Sequence, residues 1–131
     1  MVYAPKVSPF DTHMNQKLGL PFANDGRIQK VAICFDVDGT LVKQTGEERE
    51  SLTQMLMLMR MALKQVKIFV WSGGGKQYAE KTVERLGLSD YVSGCLSKWD
   101  YKKLREEGYF ILAIDDIHDT RLGDINLIVK N

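Results

Sequence analysis

In this 131-residue chain, acids, a serine and a lysine recur at the ends of apolar runs, where folded chains commonly put their chemistry. Asp36 and Asp38 close the run VAICFDV and lead into Gly39-Thr40. Ser72 ends VKIFVWS, Lys98 follows YVSGCLS, and Asp115 and Asp116 close YFILAIDD. Several carboxylates gathered in a partly buried site cannot all stay ionised without a compensating cation. Magnesium binds through a few carboxylate oxygens, retained waters and a substrate phosphate oxygen, which suits Asp36 and Asp116 as ligands. Such an ion would also hold a phosphate beside the Asp36 carboxylate and screen the repulsion between two anions. The Ser72 hydroxyl, Gly73 next to it and the Lys98 ammonium would then meet the remaining phosphate oxygens, opposing charge that develops during transfer.

Such a site forms only if the acidic ends meet. The runs at residues 31–37, 66–72 and 109–116 are nearly continuous stretches of apolar and β-branched residues, the pattern of strands buried on both faces. Residues 91–97 and the closing INLIVKN are weaker strand candidates. Between them lie helical patterns. Leu52, Met55, Leu56, Met59 and Leu63 recur at three- and four-residue steps, Lys76 to Leu86 precedes a terminating Gly87, and Asp100 to Glu107 forms a short third candidate. Strands alternating with helices predict an α/β domain with a mainly parallel sheet and right-handed crossovers. If the chain starts in the middle, runs outward through strands two and three and then crosses back, the strand order is 5-4-1-2-3. The order then reverses between Asp36 and Asp116, the position where open parallel sheets bind ligands.

The pieces resemble, in order and in strand context, the haloacid dehalogenase (HAD) superfamily. Phe35-Asp36-Val37-Asp38-Gly39-Thr40-Leu41 is similar to its first motif, Ser72 to its second, Lys98 within Ser97-Lys98-Trp99 to its third, and Ala113-Ile114-Asp115-Asp116 to its acidic fourth. Lys102 and Lys103 compete with Lys98 for the third. The resemblance covers about residues 31 to 130 and implies a three-layer, Rossmann-like (HAD-like) catalytic domain over residues 28–131. It further implies a magnesium-dependent phosphomonoester hydrolase acting through an aspartyl-phosphate. Asp36 would be the nucleophile, and Asp38 the general acid and base that also lends its backbone carbonyl to the metal. Asp36, Asp38 and Asp116 would make up the metal set, Ser72, Gly73 and Lys98 the phosphate set, with Thr40, Asp115 and Asp119 in support. Asp119, one helical turn past Asp115, is placed to brace Lys98 or the metal.

Many members of that superfamily carry a cap domain that selects the substrate. Residues 41–65 hold little more than a short flap and one helix, and residues 98–108 only a short helix, so no cap is expected. An open site suits a large phosphorylated substrate, such as a protein or a nucleic-acid end, or a homo-oligomer whose neighbouring subunit acts as lid. Lys43, Lys76, Lys98 and Lys102 would make the rim basic. Two other functions use the same pattern: a nucleic-acid end phosphatase, and a non-catalytic binding or regulatory module that keeps the fold. Intact Asp36, Asp38, Lys98 and Asp116 argue against the module.

The remaining features have plainer explanations. Asp-x-Asp-Gly-Thr alone would also suit a calcium-like loop or a helix-capping turn, and the second acidic strand end favours chemistry. Gly73 to Gly75 lack P-loop spacing and form a permissive turn. Met55, Met57, Met59 and Met61 suit an adaptable packing face, with an oligomer or partner surface as the alternative. Cys34 and Cys95, the only cysteines, fit buried free thiols. His13 and His118 are isolated in the sequence and are expected at the surface. Lysine and arginine number 18 against 17 acids, so no overall field draws the chain to nucleic acid or to a membrane. With no basic segment followed by an apolar run at the amino terminus, a cytoplasmic location without membrane partners is expected. Residues 1–27 hold all three prolines and are expected to pack on the domain as an irregular extension.

Overall fold

The computed structural model of the chain describes residues 30–130. The expectations for residues 1–27 and for His13 lie outside the described residues. Five strands form one sheet: β1 (Val31–Asp36), β2 (Lys67–Ser72), β3 (Gly94–Ser97), β4 (Phe110–Asp115) and β5 (Ile125–Ile128). Their order is β3-β2-β1-β4-β5, and every neighbouring pair runs parallel, so the sheet is wholly parallel where a mainly parallel one was expected. Among the described residues there are three α-helices: α1 (Glu50–Ala62), α2 (Lys76–Arg85) and α3 (Tyr101–Glu106), the last preceded by a 3-10 turn at Lys98–Asp100. The architecture is α/β and Rossmann-like.

The strand sequences explain the layers. Along β1, successive side chains alternate between two apolar cores. Ile33 and Phe35 join Leu56 of α1, Ile68, Val70, and Ala79 and Val83 of α2 on one face. Ala32 and Cys34 join Trp71, Tyr101 and Leu104 of α3, and Leu122 on the other. A strand buried on both faces must be apolar at nearly every position, which is why β1 and β4 stand out in the sequence. Within α1, Met55, Met57 and Met59 pack against the first core, whereas Met61 is exposed. Cys34 is fully buried and Cys95 only half-buried; both are free thiols, and burial raises the pKa of each.

Termini of the elements follow local rules. Gly87 ends α2 at φ +72°, with Leu88 N–H donating to Val83 O and Gly87 N–H to Glu84 O, the paired bonds of a Schellman cap. The third strand begins at Gly94 and not at residue 91, because Tyr91 N–H bonds to Leu88 O and holds that stretch in a turn. Between β1 and β2 the chain adds only bridges joining Asp38 to Val42 and Val42 to Glu48, and then α1, so no folded insert covers the sheet edge there. Among the described residues, no helix is long and apolar enough to cross a membrane.

The packing of α1 makes a direct prediction. Leu56 is wholly buried and Leu58, two residues on, is 65% exposed. Leu56→Ala is expected to lower stability by about 2–5 kcal/mol, and Leu58→Ala to change it by no more than about 0.5 kcal/mol, measured by urea unfolding. Equal losses would show that α1 packs by another face.

Candidate active site

Parallel pairing puts the carboxyl ends of all strands on one edge, and register fixes which residues meet there. Asp36 pairs with Trp71 across β1 and β2, Phe35 with Ile114 across β1 and β4, and Ser72 with Ser97 across β2 and β3. Asp36, Asp115, Ser72 and Lys98 therefore reach the same edge from four different strand ends. One oxygen from each of Asp36, Asp115 and Asp116 lies within 4.8 Å of the other two.

Lys98 sits at the centre of this group. Its Nζ lies 2.9 Å from Asp36 Oδ1 and 2.8 Å from Asp115 Oδ2, and its side chain is only 8% exposed. The turn that carries it is fixed by a capping box: Ser97 Oγ accepts from Trp99 N–H, and Asp100 accepts from Ser97 N–H. Lys102 and Lys103 are exposed on α3, with Lys102 over the Tyr101 ring. Of the three candidate lysines, Lys98 is the one that forms an ion pair with Asp36. Burial pulls its ammonium toward a lower pKa, and the contacts with Asp115 and Asp36 override that pull, so the net shift is upward.

Asp36 is buried, and its Oδ2 accepts a hydrogen bond from Thr40 Oγ1 at 3.3 Å. Burial and then the charge of Asp115 push its pKa up to about 7, against the pull of Lys98. Asp115 Oδ1 accepts from Ile117 N–H at 3.0 Å, which fixes the plane of the carboxylate that holds Lys98. Asp116 is half-buried at the mouth, against Gly39. At Gly39 a side-chain carbon would stand 2.1 Å from Asp116 Oδ2, and the backbone is at φ +81°. Only glycine fits both conditions, so this residue lets the acidic end of β4 close on the loop after β1.

That loop is held by the chain around it. Leu41 and Val42 are buried, Leu41 N–H donates to Asp36 O and Val42 N–H to Val37 O, and Arg49 Nε donates to Thr40 O at 3.0 Å. Asp38, by contrast, is exposed, and its Oδ1 accepts a 2.7 Å hydrogen bond from Tyr78 OH on α2. Ser72 is buried and its Oγ accepts from Gly74 N–H at 2.9 Å; Gly73 beside it is exposed.

Asp119 differs from expectation. It was expected to brace Lys98 or a metal from one helical turn past Asp115, but residues 116–124 are irregular chain, so the helical spacing does not apply. Its carboxylate instead takes Arg121 Nε at 2.9 Å and Arg121 Nη2 at 2.7 Å. Arg121 is the main reason its pKa falls to about 2, with Lys98 the smallest contributor. His118 is exposed, as are Lys43, Lys76 and Lys102.

Arg49 and Tyr78 had no signal in the sequence. Tyr78 meets Asp38 across 40 residues of chain, and an exposed tyrosine on an amphipathic helix does not announce such a partner.

Lys98 pairs with Asp36 and Asp115, and Asp116 brings a third carboxylate oxygen within 4.8 Å of theirs, a donor set that could hold a divalent cation. Ligands about 2.1 Å from a magnesium ion stand about 3–4.2 Å apart, the same scale as these separations. The resemblance would add the backbone carbonyl of Asp38 to Asp36 and Asp116 as ligands. No family model matches the chain, and no curated protein matches it.

A pH prediction follows from Asp36. Its pKa in the folded chain, about 7, exceeds the ordinary 3.8, so the folded state holds this proton more tightly than the unfolded chain does. The resulting stabilisation is complete below about pH 4 and is lost as pH rises through about 7. In EDTA, native protein taken from pH 4 to pH 8 is expected to lose about 1–3 kcal/mol more stability than Asp36→Asn, measured by urea unfolding at each pH. Parallel pH profiles for the two proteins would remove the raised pKa.

Proposed function

We propose that this chain is a magnesium-dependent phosphomonoester hydrolase of the HAD type, acting through an aspartyl-phosphate on Asp36. The observation that carries the reading is the buried group in which Asp36, Asp115 and Asp116 converge and Lys98 bridges the first two. A purely structural ion pair needs one acid for one base. Here a third carboxylate is brought in, and Gly39 is required to make room for it.

The side chains divide the reaction among themselves. An Asp36 oxygen attacks phosphorus, the bond from phosphorus to the leaving oxygen breaks, and Asp38 gives that oxygen its proton. Asp38 then takes a proton from water, the resulting hydroxide attacks phosphorus, and the Asp36 carboxylate is released together with phosphate. The environments of the two acids suit this division. Asp36 is buried among charges with its orientation fixed by Thr40 and Lys98, whereas Asp38 is exposed where it can exchange protons with solvent. Magnesium, held by Asp36, Asp116 and the backbone at Asp38, would supply positive charge to phosphate oxygens and keep the Asp36 carboxylate ionised. Lys98 would meet the same charge with its ammonium group, and Asp115 keeps it in place. The Ser72 hydroxyl, with its oxygen already accepting from Gly74 N–H, has its proton left to donate to a phosphate oxygen.

The test is release of inorganic phosphate from a panel of phosphomonoesters with and without magnesium. Native protein is expected to turn over at least one compound, EDTA to abolish the activity, and Asp36→Asn to lower kcat by at least about a thousandfold with the fold retained by circular dichroism. Native rates from Asp36→Asn would refute the nucleophile.

A further inference from the structure

The edge that carries the acids also leaves large apolar side chains in water. Trp99 is 57% exposed, Ile117 57% and Tyr78 40%. Each is tied to a residue of the proposed site. Trp99 directly follows Lys98, Ile117 directly follows Asp116, and Tyr78 holds Asp38. Both aromatic rings border the turn after Ser72: a side-chain carbon at Gly73 would lie 3.8 Å from the Trp99 ring, and one at Gly74 would lie 3.5 Å from the Tyr78 ring.

Nothing in the local fold requires an indole at position 99. The capping box that shapes the turn uses Ser97, Asp100 and the Trp99 backbone N–H, none of which involves the ring. The turn sends Lys98 inward to the acids and leaves the neighbouring side chain facing solvent. The other tryptophan, Trp71, is wholly buried in the core, as so large an apolar side chain normally is. An exposed aromatic patch beside a small set of buried charged groups is the usual make-up of a ligand site, in which polar groups fix one end and rings hold the other.

We propose that Trp99, with Tyr78 beside the same glycine turn, is the surface that receives a planar aromatic ring carried by the substrate. The preferred substrates are then phosphomonoesters whose leaving group bears such a ring: a nucleobase, as in a nucleoside monophosphate, or an aryl ring attached directly to the phosphate oxygen. The proposal rests on the phosphatase reading above and adds the substrate class. In a site with no inserted cap, stacking on the rim supplies the hold on the leaving group that the acids and Lys98 cannot give.

The experiment compares kcat/KM for adenosine 5′-monophosphate, phenyl phosphate and glycerol 2-phosphate in native protein, Trp99→Ala and Trp99→Phe. The ratio of ring-bearing to ringless substrate is expected to fall about 5- to 30-fold in Trp99→Ala, mostly through KM, and to recover in Trp99→Phe, which keeps a stacking face. The ring compound with the larger fall identifies the source of the ring. A ratio unchanged in Trp99→Ala overturns the proposal. If native protein turns over none of the three, the wider panel of phosphomonoesters decides the hydrolase reading, and fluorescence decides the rim. With magnesium present, the ring compounds are expected to quench tryptophan emission saturably in native protein and not in Trp99→Phe, where only the buried Trp71 remains. No quenching in native protein, or equal quenching in both, overturns the proposal.

Discussion

Two buried carboxylates share one ammonium group at a corner of the sheet, with a third, half-buried carboxylate beside them, and that crowding governs the rest of the site. Opposite charges 2.8–2.9 Å apart in a poorly solvated place attract strongly, but Lys98 offers a single positive charge to two direct partners and a third acid nearby. The crowding appears as a proton held tightly: burial first, and then the charge of Asp115, push the Asp36 carboxyl up to about 7 against the pull of Lys98. Ionising Asp36 in that setting costs stability at neutral pH, and a cation entering there would recover part of it.

The sheet topology is what brings these groups together. In a parallel sheet every strand delivers its last residues to the same edge, so acids far apart in sequence become neighbours when their strands are adjacent. β1 and β4 are adjacent because the chain crosses back after β3. Fine placement is local. Gly39 leaves the space occupied by Asp116, Arg49 grips the loop carbonyls, and a capped turn aims Lys98 inward. Buried charges of this kind are tolerated only where each is oriented by such contacts.

Much of this could be read from residues alone, and the reasons differ between elements. The runs ending at Asp36, Ser72 and Asp116 were legible because a strand covered on both faces must be apolar throughout, which makes a terminal acid conspicuous. The strand order also followed, from the requirement that the two acidic ends meet. Residues 91–97 misled at their start, because Tyr91 and Val92 are apolar for packing reasons and form no strand pairing. The helical spacing expected between Asp115 and Asp119 does not occur, because the chain there is irregular. Contacts set by the third dimension alone left no trace in the spacing: Tyr78 on Asp38, Arg49 on the loop carbonyls, and the Trp99 ring against the glycine turn.

The central claim is that the three acids converging around Lys98 make this edge a seat for one divalent cation. Titration calorimetry of magnesium into metal-free protein at pH 7, in two buffers of different ionisation enthalpy, reads it most directly. The account predicts one ion per chain, bound with net release of protons as Asp36 becomes fully ionised, and much weaker binding in Asp116→Asn. Absence of binding in the native protein, or equal affinity in Asp116→Asn, would contradict it.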